Sequence, residues 1–302
     1  MEDSRVTEMT SVAADDGGPV SRTFFSQRLR LHYVDWGNPD APPLILLHGG
    51  RDHCRNWDWV ARALRRDWHI ICPDLRGHGD SAWTEDGNYL LTNHIYDLAQ
   101  LVHQQALAPV TIVAHSLGGN IALHYAGLYP EAVRKLVAIE GLGPSRRQLA
   151  AESGRSIVER LHEWVDLRRG LSGRLPRRYP SIDAALARMQ EENKHLSPAQ
   201  ARHLTEQGVN QNEDGTYSWK FDNYVRVWPP CDMARRDTQL LWSRIACPTL
   251  LVYGAESWAT DPRTDGRIEH FHTAEVLRVE GAGHWVHHDR LQVFLDALKA
   301  FL

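Results

Sequence analysis

The chain has 302 residues, 42% apolar and 9% aromatic, enough for one large α/β domain with a smaller insertion. A formal charge of -4 gives no general reason to expect nucleic acid or an anionic membrane as a partner. The four cysteines, Cys54, Cys72, Cys231 and Cys247, form no CxxC pair and no secreted-type framework, so they read as packing residues in a reducing compartment.

In chain order, the opening "MEDSRVTEMTSVAADDGGPVS" is acidic and polar, without the basic and apolar regions of a signal peptide. It predicts a loose leader over 1–22. No apolar stretch approaches the roughly 18 to 20 residues of a membrane span, so a soluble cytoplasmic protein is expected. From Leu29 to Trp36 the chain is strand-like, and "PPLILLHGG" and "HIICPDLRGHGDS" are apolar runs that stop at Gly-rich or Asp-containing loops. Buried parallel strands look this way where their C-terminal ends open into loops. "WDWVARALRR", "NHIYDLAQLVHQQ" and "NIALHYAGLY" carry helical spacing between such runs. The alternation predicts a mostly parallel, doubly wound sheet.

After Glu140 the pattern turns helical and polar, with helices expected in "RSIVERLHEWVDLRRG" and "SIDAALARMQEEN". "SPAQARHLTEQG" is a third, capped by Ser197, with Pro198 at its first position, Gln200 completing a capping box and Gly208 at its stop. "NEDGTYSWKF" suggests a hairpin at Asp214-Gly215 with Tyr217, Trp219 and Phe221 on one face. Strand signals resume at "PTLLVYG" and "AEVLRVEG", before a final amphipathic helix, "RLQVFLDALKAFL". The reading is a core over 23–142 and 246–302 with a mainly helical cap inserted over 143–245. Residues 141–245 hold 17 Lys and Arg against 13 Asp and Glu, a balance of +4 against -8 for the rest. A solvated arginine-rich surface accounts for this, and so would a preference for anionic substrates.

Two residues stand out. In "VAIEGLGP", Glu140 ends an apolar run, where an unpaired carboxylate would cost several kcal/mol. Either it is solvated at the strand's edge or a cationic group meets it. In "VTIVAHSLGGNIAL", Ser116 sits between a strand and a helix, and Ala114-His115-Ser116-Leu117-Gly118 matches the G-x-S-x-G elbow with alanine for its first glycine. The plain alternative is a buried serine capping the helix.

"LLHGG", "CPDLRGHGDS", "AHSLGG" and "GAGHWVHHDR", in this order at the ends of expected strands, resemble the α/β-hydrolase superfamily over roughly residues 24–302. The resemblance implies the α/β-hydrolase fold, Ser116 as nucleophile and His284 as its general base, since a serine hydroxyl is a weak attacker without one. It implies an oxyanion hole from the backbone N–H groups of Gly50 and Leu117. His287 and His288 read as partly solvated, His115 as a packing or supporting residue, and His48 as structural. The usual place for the acid, after the late strand, reads Gly254-Ala255-Glu256-Ser257. Some relatives carry the acid after the strand that follows the nucleophile helix, and Glu140, 24 residues beyond Ser116, fits that place. Glu256 and Asp261 remain alternative acids, and Asp74 is a third, in a loop common in the family for structural reasons.

Serine at 116 argues against epoxide hydrolase and dehalogenase chemistry, whose relatives need an aspartate there. The chain has no HExxH, no Cys/His cluster at ligand spacing, no P-loop and no credible dinucleotide fingerprint, so neither metal nor cofactor is expected. The expected reaction is cleavage of a small-molecule carboxylic ester or lactone through an acyl-enzyme. An amidase, a C–C bond hydrolase, a cofactor-free acyltransferase or perhydrolase, and a non-enzymatic binding protein of the same fold stay open. Arg51, Trp57 and Trp285 are placed to touch substrate. Trp164, Trp219, Trp228, Tyr217 and Tyr224 would either line an apolar pocket or hold the cap to the body.

Overall fold

The computed structural model describes residues 17–145, 147, 150, 154–230 and 233–302. The leader up to residue 16 and Cys231 lie outside the described residues. Ten strands are described: β1 (Val20–Ser26), β2 (Leu29–Asp35), β3 (Pro43–Leu47), β4 (His69–Pro73), β5 (Val110–His115), β6 (Val133–Ile139), β7 (Val209–Gln211), β8 (Tyr217–Trp219), β9 (Thr249–Gly254) and β10 (Ala274–Val279). Eight form one sheet in the order β1-β2-β4-β3-β5-β6-β9-β10. β1 pairs antiparallel with β2 and β2 with β4, and the remaining pairs are parallel. A leader reaching residue 22 is corrected, because β1 begins at Val20, paired with Asp35. As an edge strand it buries only Phe24 and Ser26, which leaves little alternation to read.

The helices are α1 (Asp58–Leu64), α2 (Leu91–Gln104), α3 (Leu117–Leu128), α4 (Ile157–Leu171), α5 (Ile182–Glu192), α6 (Pro198–Gly208), α7 (Arg235–Ser243), α8 (Val286–Asp289) and α9 (Leu291–Phe301). β5 is buried at every position because both faces of the sheet are covered. Ile112, Ala114, Leu136 and Ala138 face Leu98 and Leu101 of α2 and Ile121 of α3. Val113, Val137 and Ile139 face Val60 and Leu64 of α1 and Phe294 and Leu298 of α9. No helix among the described residues is long and apolar enough to cross a membrane.

The described elements between β6 and α7 are inserted between two neighbouring strands of the sheet, β6 and β9. Ser156 with Glu159 caps α4 and Ser197 with Gln200 caps α6, each in a full capping box. The β7–β8 hairpin turns at Gly215, φ +82°, and packs Tyr217 and Trp219 on a small cluster of Tyr179, Ala185 and Val209. α7 instead packs on the core, with Trp242 buried in the same cluster as α3. Two seams fasten the insertion. At one, Tyr89 donates to Asp222 at 2.6 Å and Arg168 to the Gly87 carbonyl at 3.2 Å. At the other, His53 bonds the Leu204 carbonyl at 3.0 Å and Gln200 the His288 carbonyl at 3.1 Å.

Candidate active site

The parallel strands deliver their loops to one edge: Gly49-Gly50 after β3, Ser116 after β5, Glu140 after β6, Ser257 beyond β9 and His284 beyond β10. Ligand sites in open α/β sheets lie at this edge. Ser116 has φ +51° and ψ -115°, a conformation unfavourable for a residue with a Cβ. Its N–H donates to the Ile139 carbonyl at 2.8 Å and its carbonyl accepts from Asn120 at 2.9 Å. Glycine is required just beyond it: a Cβ on Gly118 would lie 2.4 Å from the His48 carbonyl oxygen, and one on Gly119 2.7 Å from Gly141 Cα. Ala114 fits as alanine, fully buried in the sheet.

His284 Nε2 lies 3.1 Å from Ser116 Oγ, and its Nδ1 bonds Glu140 Oε2. The carboxylate is closed off from solvent, and Glu140 itself stands at φ +50° with its N–H on the Val252 carbonyl at 2.9 Å. Its Oε1 accepts the Gly254 N–H at 3.0 Å and its Oε2 the Ser257 hydroxyl at 2.6 Å. The carboxylate is thus buried and fully partnered, as a buried charge must be. With a carboxylate on Nδ1, that nitrogen carries the ring proton and Nε2 is left to accept from serine.

The histidine's loop is held from behind. His115 Nε2 donates to the His284 carbonyl at 2.9 Å, and burial keeps His115 well below the ordinary imidazole range. A Cβ on Gly254 would lie 2.2 Å from the Gly283 carbonyl oxygen, so glycine lets the two loops close. Trp258, exposed at 64%, lays its ring 4.9 Å from that of His284 at 34°. Ser257 and Trp258 were not singled out from sequence. The only signal was that Ser257 occupies the position where an acid is usual.

Gly50 is open on its Cα side, with Leu117 Cδ2 at 3.9 Å the nearest atom a Cβ would meet, and Leu117 opens α3, where the first N–H groups have no acceptor within the helix. His48 ties the preceding loop by donating to the Gly49 carbonyl at 2.6 Å and accepting the Leu75 N–H at 3.0 Å. Burial pushes its imidazole down to about 3. Asp74 accepts from Cys54 at 2.7 Å, Asp80 at 2.9 Å and His32 at 2.7 Å, and belongs to the scaffold. His32, Cys54 and Asp74 bring ligand atoms within 4.8 Å of one another, but His32 and Asp74 are committed to each other and burial holds the Cys54 thiol protonated.

Several expectations are corrected. Trp57 is wholly buried and stacks on His287 at 4.5 Å, so it packs the core and does not face substrate. His287 and His288 are buried, not partly solvated, because the insertion's α6 covers this corner. Glu256 is more than half exposed and faces His195 at 4.0 Å, and Asp261 is engaged by Arg263. Neither bonds His284. Trp164 and Tyr224 sandwich the Arg168 guanidinium at 5.1 and 5.2 Å, the residue that fastens α4 to Gly87. Trp228 is half exposed. Arg51, Trp219 and Trp285 do come together, in a narrow cleft with Phe221.

Comparisons with known proteins agree with this architecture. The chain is 28% identical over 295 residues to esterase Rv0045c of Mycobacterium tuberculosis, covering 94% of this chain and 90% of that protein. It is 28% identical over 280 residues to the sn-1-specific diacylglycerol lipase ABHD11 of Mus musculus, covering 88% and 82%. Among solved structures, the thioesterase domain from the curacin biosynthetic pathway superposes with a TM-score of 0.80 at 21% identity, covering 94% of this chain and all of that one. The family model described as alpha/beta hydrolase fold matches residues 42–291, and the chain belongs to that family.

Proposed function

We propose that the protein is a serine hydrolase that cleaves a carboxylic ester, open-chain or lactone, through an acyl-enzyme. The observation that carries this reading is the pair of contacts on one ring: Ser116 Oγ 3.1 Å from His284 Nε2, with Glu140 bonded to Nδ1. The esterase and lipase names of the relatives at 28% identity support it. The described elements between β6 and α7 act as the cap, and α7 belongs to the body.

In this reading Ser116 Oγ attacks the ester carbonyl as its proton passes to His284 Nε2. The new C–O bond places the negative charge on the former carbonyl oxygen, facing the N–H groups of Gly50 and Leu117. Each such donor is worth about a hundredfold to a thousandfold in rate. The Glu140 carboxylate, bonded to Nδ1, stabilises the imidazolium. Collapse breaks the bond to the alcohol, which leaves with the His284 proton. Water, deprotonated by the same nitrogen, then releases the acid and restores Ser116.

Burst and steady-state rates on p-nitrophenyl esters of increasing chain length test this. Ser116→Ala is expected to abolish turnover, Glu140→Gln to lower kcat by roughly 10⁴-fold, and Glu256→Gln to stay near wild type. Wild-type rates in the Ser116→Ala protein would overturn the reading.

A further inference from the structure

Arg51 directly follows Gly50 and holds φ +62°, in the left-handed region that a residue with a Cβ rarely adopts. The residue is exposed and has no ion-pair partner among the described residues. It lines a narrow cleft with Trp285, the neighbour of His284, and with Met189, Trp219, Lys220 and Phe221 from the insertion.

Among the described residues, the other charged groups near this cleft are already engaged. Lys220 is tied to Asp80 at 2.9 Å. Arg226 lies behind Phe221, its guanidinium 5.4 Å from the ring centroid, and burial followed by the charge on Arg51 lowers its hold on its proton. Glu192, which attracts Arg226, is bonded to Arg188. Asp52 also lines the cleft, but burial pushes it up to about 8, and its oxygens accept from the His53 N–H and from Asn56. Its carboxyl is thus already engaged by donors of its own loop.

We propose that Arg51, exposed one residue beyond Gly50, holds a carboxylate carried by the ester itself in a two-pronged grip. This rests on the esterase reading above. One free guanidinium matches one planar carboxylate. A doubly charged phosphate would need a second free cation, and Lys220 is already paired.

The test compares kcat/KM for mono-p-nitrophenyl glutarate with that for methyl p-nitrophenyl glutarate, which removes only the charge. A second arm, 4-carboxyphenyl butyrate against its methyl ester, puts the carboxylate on the alcohol side. The charged ester of one arm is expected to be preferred by about tenfold or more, the scale of a charge-assisted hydrogen bond. Arg51→Gln should bring that ratio close to one, Arg51→Lys should keep part of it, and high salt should shrink it. A ratio at or below one in both arms, or a ratio untouched by Arg51→Gln, overturns the proposal while leaving an esterase. If wild type cleaves none of the four, the ester series above tests the esterase reading separately, and binding of monomethyl glutarate to the Ser116→Ala protein decides the subsite. Binding lost on adding Arg51→Gln supports it, and binding that is absent or indifferent to Arg51 removes it.

Discussion

Ser257 donates its hydroxyl to Glu140 Oε2 at 2.6 Å, the oxygen that also meets His284 Nδ1. A serine in the loop after β9 thus supports a carboxylate delivered by β6. A charge-assisted bond of this kind typically contributes about 1.5 to 3 kcal/mol. Ser257→Ala should lower kcat/KM by about tenfold, far less than Glu140→Gln. Because Ser257 already reaches the acid's position, Glu140→Gln with Ser257→Asp should regain at least about tenfold over Glu140→Gln alone. A double variant no better than the single one would show that the loop cannot present a carboxylate to the ring.

Gly127 and Gly170 make opposite predictions from one substitution. A Cβ on Gly127 would lie 2.1 Å from the Leu241 carbonyl oxygen, so α7 rests on α3 only over a glycine. Gly127→Ala should cost about 1 to 3 kcal/mol or more by forcing the helices apart. Gly170 lies in α4 with nothing within 4 Å, and Gly170→Ala should stabilise by about 0.5 to 1 kcal/mol. Urea unfolding read by tryptophan fluorescence checks both signs.

Asp97 joins three separate segments. It accepts two bonds from Arg76 at 2.6 Å each and one from Ser26 at 2.5 Å, linking α2 to the Asp74–Asp80 loop and to β1. Removing it leaves the Arg76 guanidinium buried without a counter-charge. Asp97→Ala is expected to cost about 3 to 5 kcal/mol and Ser26→Ala only about 1 kcal/mol in equilibrium unfolding. Equal losses would mean that the ion pair is not the link that matters.

Buried histidines give the fold an acid limit. Burial is the main reason that His48 is pushed down to about 3, His78 to about 4 and His288 to about 3, and it also lowers His53, His94, His115 and His287. The unfolded chain takes up these protons around pH 6.5 and the folded chain does not, so between about pH 6.5 and 4 unfolding binds protons. Their contribution to stability is complete above about pH 6.5 and is lost as pH falls through that window, by about 1.4 kcal/mol per pH unit for each proton. Asp52, pushed up to about 8, and Asp97 and Asp289, both raised by burial, act in the opposite sense with one proton each, fewer than the seven histidines. Urea midpoints at pH 7.5, 6.0 and 5.0 should fall steeply at the acid end. A midpoint unchanged down to pH 5.0 contradicts this account.

Much of the architecture was legible because its signals are local. The apolar runs before "HGG", "PDLRGHGDS" and "AHSLGG" are β3, β4 and β5, and the Ser197–Gln200 box caps α6 as expected. Strand β1 was not legible, since an edge strand with mostly exposed side chains has no face to alternate. Trp57, His287 and His288 were read as reaching substrate or water because their neighbours in sequence border the site. Burial depends on what packs over a residue, and here that is α6, whose Leu204 and Gln200 bond His53 and the His288 carbonyl from about 90 to 150 residues away.

From the sequence alone came the fold, the family likeness, the Ser116 and His284 candidates and the question posed by Glu140 at the end of an apolar run. Each of these lives in a short stretch of chain whose strand, turn and helix propensities act over a few residues. Only the tertiary structure brought Glu140 onto His284 Nδ1, set Ser257 behind it, sent Trp57 into the core and left Arg51 without an ion-pair partner among the described residues. Those are relations between the ends of different strands, decided by the order β3-β5-β6-β9-β10 in which the sheet pairs them.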